Sequence, residues 1–130
     1  MLDINEAMIF AAGFGKRMYP FTTKVPKPLL KVNGKPIIFY IIEDLINLNF
    51  KNIVINTHHL SEKFHDALKP YSRIIKIVFE EEILDTGGGF LNAIKRNYFH
   101  NLKSPKVLIN GDVLWKKTVN SPIKNILRHW

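Results

Sequence analysis

Residues Ala7 to Met18 read AMIFAAGFGKRM, and this stretch decides the fold. The apolar run from Ala7 to Ala11 is short and stops at glycines, which is typical of a buried strand. We call residues 11–18 the glycine loop. Because a glycine has no Cβ, its backbone can approach a ligand closely, and bare N–H groups bind phosphate oxygens. The stretch predicts a strand that leads into a phosphate-binding loop, although a tight turn with two solvated cations fits the same residues.

The glycine loop differs from two common nucleotide-binding motifs. A P-loop needs a wider glycine spacing than Gly13 and Gly15 provide, and it needs a hydroxyl where Arg17 stands. A dinucleotide fingerprint needs a third glycine, but the chain has Met18 there. It also needs an acid near the end of the second strand, and residues 56–59 read NTHH. Both of these interpretations fail.

Apolar patterns along the rest of the chain predict alternating strands and helices. Further strands are predicted at 53–56, 74–79 and 107–109, and helices at 36–48, 61–68, 86–98 and 121–130. This order predicts a three-layer α/β fold, with a mainly parallel sheet and helices on both faces. Such sheets bind ligands beyond the carboxyl ends of their strands. The glycine loop and Asp112 are both expected at that edge.

Two local expectations come from turn residues. Pro26 and Pro28 lack backbone donors, so residues 25–32 are expected to be extended rather than helical. Ser61 has a side chain suited to capping, and we expect it to be the N-cap of the second helix.

Composition limits the classes of function. The 130 residues are 46% hydrophobic, which predicts one small domain over 1–130. There is no cysteine, which excludes disulfide and thiolate chemistry. No apolar run reaches the roughly 18 residues of a membrane span, and residues 1–6 lack a basic leader. We therefore expect a cytoplasmic protein that does not bind membranes.

The net charge of +8 comes from 15 lysines and four arginines against 11 acids. A nucleic-acid partner is one interpretation, and a solvated lysine-rich surface is the other. The lysines are scattered, whereas phosphate tracking favours a contiguous stripe and base recognition favours arginine. We therefore expect no nucleic-acid partner.

A series of short motifs in a fixed order indicates the protein family more specifically than composition does. After the glycine loop come YPFT at 19–22, PKPLL at 26–30, GKPII at 34–38, DTGGG at 85–89 and NGD at 110–112. This ordered set resembles the signature of sugar-1-phosphate nucleotidyltransferases, from about residue 7 to 113. The TGGG form is most similar to N-acetylmuramate-1-phosphate uridylyltransferases, while relatives that activate mannose, glucose or choline phosphate share the first two motifs.

The resemblance implies a Rossmann-like nucleotide-diphospho-sugar transferase fold and a defined reaction. A sugar 1-phosphate attacks the α-phosphorus of a nucleoside triphosphate, here UTP, and pyrophosphate leaves. The products would serve cell-wall or surface-sugar metabolism, such as peptidoglycan recycling. The attacking oxygen is already anionic, so catalysis consists of alignment and charge neutralisation.

The resemblance also assigns roles to residues near the first strand. The backbone of Ala12, Gly13 and Gly15 would cradle the nucleotide. Arg17 would neutralise the β- and γ-phosphates and assist the departure of pyrophosphate. Lys27, held between two prolines, would meet the α-phosphate or the incoming phosphate.

Two later segments complete the expected site. Gly87 and Gly88, with Gly89, would offer the base or sugar a close-approach surface at a helix N-terminus. Asp85 would accept hydrogen bonds there or cap the turn. Asp112 would bind Mg²⁺ as an oxygen ligand. His58, His59 and His65 lack zinc-ligand spacing and are expected on the surface or in the core.

The chain departs from the family after Asp112. Family members usually continue with more strands, a sugar-binding segment and a second metal-binding Asp, but no Asp or Glu follows Asp112 here. The sheet is therefore expected to be incomplete at its C-terminus, with an exposed edge. One hypothesis is a working enzyme, completed by a separate C-terminal chain. The other is a truncated, inactive remnant that at most binds nucleotide.

Overall fold

In a computed structural model, which describes residues 3–115 and 121–129, the first apolar run forms strand β1 (Glu6–Phe10). The other strands are β2 (Lys31–Val32), β3 (Lys35–Pro36), β4 (Asn52–Thr57), β5 (Ile75–Phe79) and β6 (Val107–Asn110). The helices are α1 (Ile37–Asn47), α2 (Ser61–Ala67), α3 (Thr86–Lys95) and α4 (Pro122–His129). The predicted alternation is confirmed. Residue 130, with which the last predicted helix ends, lies outside the described residues.

The central sheet has four strands in the order β5-β4-β1-β6, and every neighbouring pair is parallel. In the middle of β1, Met8 is paired with Val54 of β4 and with Leu108 of β6. Strands β2 and β3 form a separate antiparallel hairpin, whose turn residues Asn33 and Gly34 have positive φ angles of 53° and 77°. The sheet is therefore mainly parallel, as predicted.

The two faces of β1 pack against different helices. Ala7 and Ile9 belong to a buried cluster that also contains residues of α1, α2 and α4, including Ile38, Phe64 and Ile123. Met8 belongs to a second cluster with Ala93 of α3. Because strand side chains alternate between faces, these clusters lie on opposite sides of the sheet. The expected three-layer arrangement is confirmed.

Helix α1 shows why the sequence pattern predicts this packing. Its buried residues Ile38, Ile41, Ile42 and Leu45 recur at the spacing of one helical face. Burying such side chains contributes about 1.5–3 kcal/mol each relative to exposure. The helix thereby covers one face of the sheet and leaves the strand ends free for a site.

Two local expectations were wrong. Residues Lys27–Leu29 form one 3-10 turn rather than extended backbone, with Leu30 N donating to Lys27 O at 3.1 Å. Pro28 is compatible with this turn because a residue near a helix start needs no intrahelical N–H partner. Ser61 does not cap α2: Leu60 is the N-cap residue, and the Ser61 hydroxyl instead shares a 2.7 Å hydrogen bond with the Thr57 hydroxyl.

Strand β6 lies at one end of the sheet. Among the described residues it pairs only with β1. On the α3 side of the sheet, Leu108 of β6 is 44% exposed and Leu91 of α3 is 49% exposed. The predicted exposed edge is therefore present in this part of the chain. Within the described ranges, no helix has the length and apolar character that crossing a membrane requires.

A buried ion pair fixes the amino end of β1. Glu6 and Lys106 have side chains that are 2% and 5% exposed, and Lys106 Nζ lies 3.2 Å from Glu6 Oε2. Glu6 also accepts hydrogen bonds from Asn52 Nδ2 at 2.8 Å and from His100 N at 2.7 Å. This network joins β1 and β4 to the segment before β6, at the end of the sheet away from the glycine loop.

Candidate functional site

A cavity of about 740 Å³ opens at the carboxyl ends of β1, β4 and β6. The glycine loop forms one wall, and residues 83–86 before and at the start of α3 form another. Lys27 and Asp112 also line it. The volume falls in the range of about 300–1,000 Å³ that is usual for small-ligand sites. The structure thus brings together Ala12, Gly13, Gly15, Arg17, Lys27 and Asp112.

The glycine loop is held in shape by Gly15. This residue has φ 65°, in the left-handed region, and it precedes a 3-10 turn over Lys16–Met18. The buried Thr22 donates its hydroxyl to Gly15 O at 2.6 Å, and a Cβ on Gly15 would lie 2.9 Å from Thr22 Cγ2. At Gly13, in contrast, a Cβ would meet no atom within 4 Å. Gly15 is thus required by the fold, whereas Gly13 leaves an open approach to its backbone.

The two predicted cations differ in their contacts. Lys27 Nζ lies 2.9 Å from Asp112 Oδ2, and these side chains are 34% and 37% exposed. Arg17 is exposed, and no hydrogen bond or ion pair joins it to another described residue. Its guanidinium can therefore meet an anionic ligand without first breaking a protein contact.

Asp112 reaches the cavity because the chain turns tightly at Gly111. Gly111 N donates to Phe10 O at 2.8 Å, and a Cβ on Gly111 would lie 2.9 Å from that oxygen. Over the described ranges, no cluster of three or more His, Asp or Glu side chains could hold a metal ion. Asp112 therefore supplies one carboxylate, and a Mg²⁺ ion there would need most of its remaining ligands from phosphates and water.

The glycines at 87 and 88, unlike those of the glycine loop, do not line the cavity in the described part of the chain. Asp85 is the N-cap of α3, with its Oδ1 accepting from Gly88 N at 2.6 Å. This geometry is the capping alternative for Asp85. Asp85 and Thr86 line the cavity, but Gly87 and Gly88 are absent from its walls as far as the described chain goes. Both glycines lie in the first turn of α3.

A buried polar network under the cavity was missed by sequence reasoning. Asn56, which is 2% exposed, accepts from Ala11 N at 2.8 Å and donates to Glu80 Oε1 at 2.8 Å. Glu80, which is 3% exposed, accepts from Leu84 N at 3.2 Å through its other oxygen. The available signal was Asn56 directly after the apolar run 53–55 of β4, because a buried amide needs partners.

An aromatic cluster supports the outer side of the glycine loop. The Phe14 ring lies edge-on to His58 and tilted against His59, with centroids 5.3 and 5.4 Å apart. His58 Nδ1 lies 2.7 Å from Glu80 O, and His59 Nε2 lies 3.0 Å from Thr22 O. A carbonyl oxygen only accepts, so each of these nitrogens carries a proton. The two histidines thus hold loop carbonyls, whereas His65 is exposed on α2.

Comparisons with known proteins agree with this geometry. The family model for nucleotidyl transferases matches residues 6–129. An N-acetylmuramate alpha-1-phosphate uridylyltransferase of Neisseria meningitidis is 40% identical, over 84% of this chain and 47% of the relative. A mannose-1-phosphate guanyltransferase of Schizosaccharomyces pombe is 34% identical, over 84% of this chain and 31% of the relative.

A solved structure is similar as well. The CTP:phosphocholine cytidylyltransferase of Streptococcus pneumoniae superposes with a TM-score of 0.67 and 29% identity, over 84% of this chain and 46% of that one. The present chain thus spans less than half the length of these relatives. Their names cover uridylyl, guanylyl and cytidylyl transfer, so the base differs among them. On the family match over nearly the whole chain, the protein belongs to the nucleotidyl transferase family.

Proposed function

We propose that the cavity binds a nucleoside triphosphate and that its residues take part in nucleotidyl transfer to a sugar 1-phosphate, with release of pyrophosphate. The single observation that carries the proposal is the convergence of the glycine loop, Arg17, Lys27 and Asp112 on one cavity. These groups come from segments far apart in the sequence, and all line the cavity in which the phosphate chain is proposed to bind. The 1–130 chain is proposed to act as a single domain, since both core clusters share one sheet.

The proposed mechanism rests on positioning and charge. The open backbone at Gly13 lets phosphate oxygens approach the N–H groups of the loop. Arg17 is unpaired within the described structure and is proposed to bind the β- and γ-phosphates, which neutralises the departing pyrophosphate. Lys27 is proposed to leave Asp112 and bind the α-phosphate or the attacking phosphate, so that the two anionic groups can approach each other.

Mg²⁺ is the proposed cofactor, and Asp112 is the residue that would hold it. A carboxylate oxygen is the ligand type that Mg²⁺ prefers, and Asp112 is partly exposed at the cavity wall. When bound, the ion would neutralise phosphate charge and favour in-line geometry. Before that, Asp112 has to give up its contact with Lys27, which frees the ammonium for phosphate. The donor set therefore fits one carboxylate contact to a metal–nucleotide complex.

The proposed substrates are UTP and N-acetylmuramate 1-phosphate, in the cytoplasm and in peptidoglycan recycling. The support is the DTGGG segment at 85–89 and the 40% identity to the Neisseria meningitidis uridylyltransferase. Gly87 and Gly88 lie in the first turn of α3, directly after the cavity residues Asp85 and Thr86, and are proposed to contact the base or sugar. Neither nucleic acid nor a membrane is a proposed partner.

Calorimetric titration of the purified chain with UTP, CTP, GTP and dTTP tests the site. We expect UTP to bind most tightly, and Mg²⁺ to strengthen its binding. Arg17→Ala and Lys27→Ala should each weaken UTP binding about tenfold or more, because each removes a charge-assisted contact. Lys24→Ala is the matched control, since Lys24 is an exposed lysine outside the cavity walls. Equal affinities in all three variants would contradict the proposed site.

A second candidate function is nucleotide binding without turnover. It is favoured by one observation: of the two carboxylates among the described cavity residues, Asp85 is engaged in capping α3, which leaves Asp112 as the one available to a metal ion. A complementing C-terminal chain would supply the missing groups in the first case but would have no effect in the second. Adding a family-like C-terminal segment and measuring pyrophosphate release distinguishes the two. Release that appears only with the segment favours the enzyme.

A further inference from the structure

The network at the floor of the cavity joins three segments: the glycine loop, the end of β4 and the loop between β5 and α3. It runs from Ala11 in the glycine loop, through Asn56 near the end of β4, to Glu80 after β5. From there it reaches Leu84, whose backbone N–H donates to Glu80 Oε2. Ala11, Asn56 and Leu84 all line the cavity. The two walls of the cavity are therefore connected through two buried side chains.

The hydrogen-bonding roles in this network are fixed by chemistry. Ala11 N–H can only donate, so the Asn56 oxygen must face it and the Asn56 amide nitrogen must face Glu80. Leu84 N–H also can only donate, so both Glu80 oxygens act as acceptors. Each donor meets one acceptor at 2.8–3.2 Å, without a mismatch. The arrangement suits one amide and one carboxylate.

The surrounding structure restricts where Glu80 can go. Its backbone N donates to Thr57 O at 2.8 Å, and its backbone O accepts from the His58 ring at 2.7 Å. Gly89 packs so closely that an added Cβ would lie 2.9 Å from Glu80 Oε1 and 3.0 Å from Asn56 Nδ2. Helix α3 thus encloses the pair, and no side chain at position 89 fits without displacing it.

We infer that Asn56 and Glu80 are positioning residues, which hold the glycine loop and residues 83–86 at a fixed separation and so set the width of the nucleotide cavity. This inference rests on the proposed function of that cavity. Neither side chain needs to touch the reacting atoms. Their effect reaches the ligand through the backbone at Ala11 and Leu84, where the two walls begin.

Exchanging the amide and the carboxylate tests the inference. In Glu80→Gln, the donors Asn56 Nδ2 and Leu84 N face a side chain with a single acceptor oxygen, so one of them loses its partner. In Asn56→Asp, a second carboxylate faces Glu80. The double variant Asn56→Asp/Glu80→Gln restores every pair, because the new carboxylate accepts from Ala11 N and from the new amide, whose oxygen accepts from Leu84 N. All three variants keep nearly the same side-chain volumes.

The first measurement is UTP affinity in the presence of Mg²⁺. We expect each single variant to weaken binding about tenfold or more, since an unsatisfied buried donor displaces the loop it belongs to. The double variant should regain most of the affinity. Glu81→Gln is the matched control, because Glu81 is an exposed acid next to Glu80 and outside the cavity walls. Single variants that melt earlier but bind UTP as the control does would overturn the inference.

The second measurement, amide hydrogen exchange, needs no ligand. In the wild-type chain the amides of Ala11 and Leu84 should exchange more slowly than those of the exposed residues Glu81 and Glu82. Both should lose protection in the single variants and regain it in the double variant. Failure of the wild type to bind UTP would count against the proposed function, and exchange would still decide whether the pair holds the loops. Equal exchange at all four amides would refute the inference even if the single variants do not fold.

Discussion

The ammonium of Lys27 and the carboxylate of Asp112 lie 2.9 Å apart, although the two residues are far apart in the sequence. One belongs to the segment after β1 and the other directly follows β6. Each is about one-third exposed, and a pair of that kind contributes roughly 1 kcal/mol or less. A ligand can therefore separate them at low cost. In the free chain the pair keeps a cation and an acid together beside the cavity.

Asp112→Asn should separate the two proposed roles of this pair. Without Mg²⁺, UTP binding should be unchanged or slightly tighter, because the Lys27 charge is no longer neutralised and phosphate meets less negative charge. The strengthening of UTP binding by Mg²⁺ should be lost. Calorimetric titrations with and without Mg²⁺ measure both effects. Asp66→Asn is the control, since Asp66 pairs with Lys69 on the exposed surface of α2. A Mg²⁺ effect that survives Asp112→Asn would place the metal elsewhere.

The two glycines of the loop should respond differently to alanine. Gly15→Ala should lower the free energy of unfolding by about 1–2 kcal/mol, because an L side chain is strained at φ 65° and meets Thr22. Gly13→Ala should change it by about 0.5 kcal/mol or less, since a Cβ there meets nothing. If phosphate approaches this backbone, Gly13→Ala should still weaken UTP binding.

Denaturant unfolding and UTP titration of both variants check this contrast. A stable Gly13→Ala chain that binds UTP normally would show that the ligand does not approach the loop at Gly13. A Gly15→Ala chain as stable as the wild type would contradict the strain expected at that position.

The order of elements was predictable because strong local patterns carry it. Short apolar runs, such as residues 53–55 in β4, and the single apolar face of α1 place the strands and helices. Their alternation predicts a parallel sheet, in which the carboxyl ends of the strands lie together. The convergence of the glycine loop with Asp112 follows from that topology. The contact between Lys27 and Asp112 does not follow from the topology, since it depends on the 3-10 turn at Lys27–Leu29. The two prolines had indicated extended backbone there instead.

Long-range polar pairing was not predictable from one sequence. Asn56 follows an apolar run, but nothing in the sequence indicates Glu80 as its partner, because only the parallel pairing of β4 and β5 places the two together. Likewise, Ser61 had a capping side chain, but Thr57 competes for its hydroxyl. In both cases a contact with another part of the chain, and not the local sequence, determines which hydrogen bond the side chain makes. The roles of Gly87 and Gly88 stay predictions.

Glu6 should make the free energy of unfolding depend on pH. Burial opposes its ionisation, but hydrogen bonds from His100 N and Asn52, with the Lys106 ammonium, outweigh burial and lower the pKa of Glu6 below its ordinary value. A lowered folded-state pKa stabilises the fold above the unfolded-state value, about 4.3, and this contribution is lost as the pH falls through the folded-state pKa. The chain should therefore lose stability below about pH 4.

Glu6→Gln should lower the free energy of unfolding by about 3 kcal/mol at neutral pH, because it removes the negative charge beside the buried Lys106 ammonium. The difference from wild type should shrink as the pH falls from 7 to 3, which thermal unfolding across that range measures. Glu82→Gln, at an exposed acid, should show no such trend. A constant difference at all pH values would mean that Glu6 does not titrate differently on folding.

The 130-residue chain by itself should turn over almost no substrate. With Mg²⁺, UTP and N-acetylmuramate 1-phosphate, we expect pyrophosphate release close to background, together with measurable UTP binding. Within the described cavity, the glycine loop, Arg17, Lys27 and Asp112 are in place, but the other carboxylate on its walls, Asp85, is engaged in capping α3. Loss of one preorganised electrostatic contact costs about 10²- to 10³-fold in rate. Such losses are not additive, so only the direction is predicted for several at once.

This prediction is tested by measuring pyrophosphate release, first by the purified chain alone and then by the chain with a family-like C-terminal segment joined to it. The joined protein should turn over, and Asp112→Asn in it should abolish the Mg²⁺-dependent release, because that change removes the carboxylate proposed to hold the ion. Fast release by the chain alone that disappears in Asp112→Asn would show that one carboxylate suffices. The positioning of phosphates by Arg17 and Lys27 would then account for more of the rate than a count of metal ligands implies.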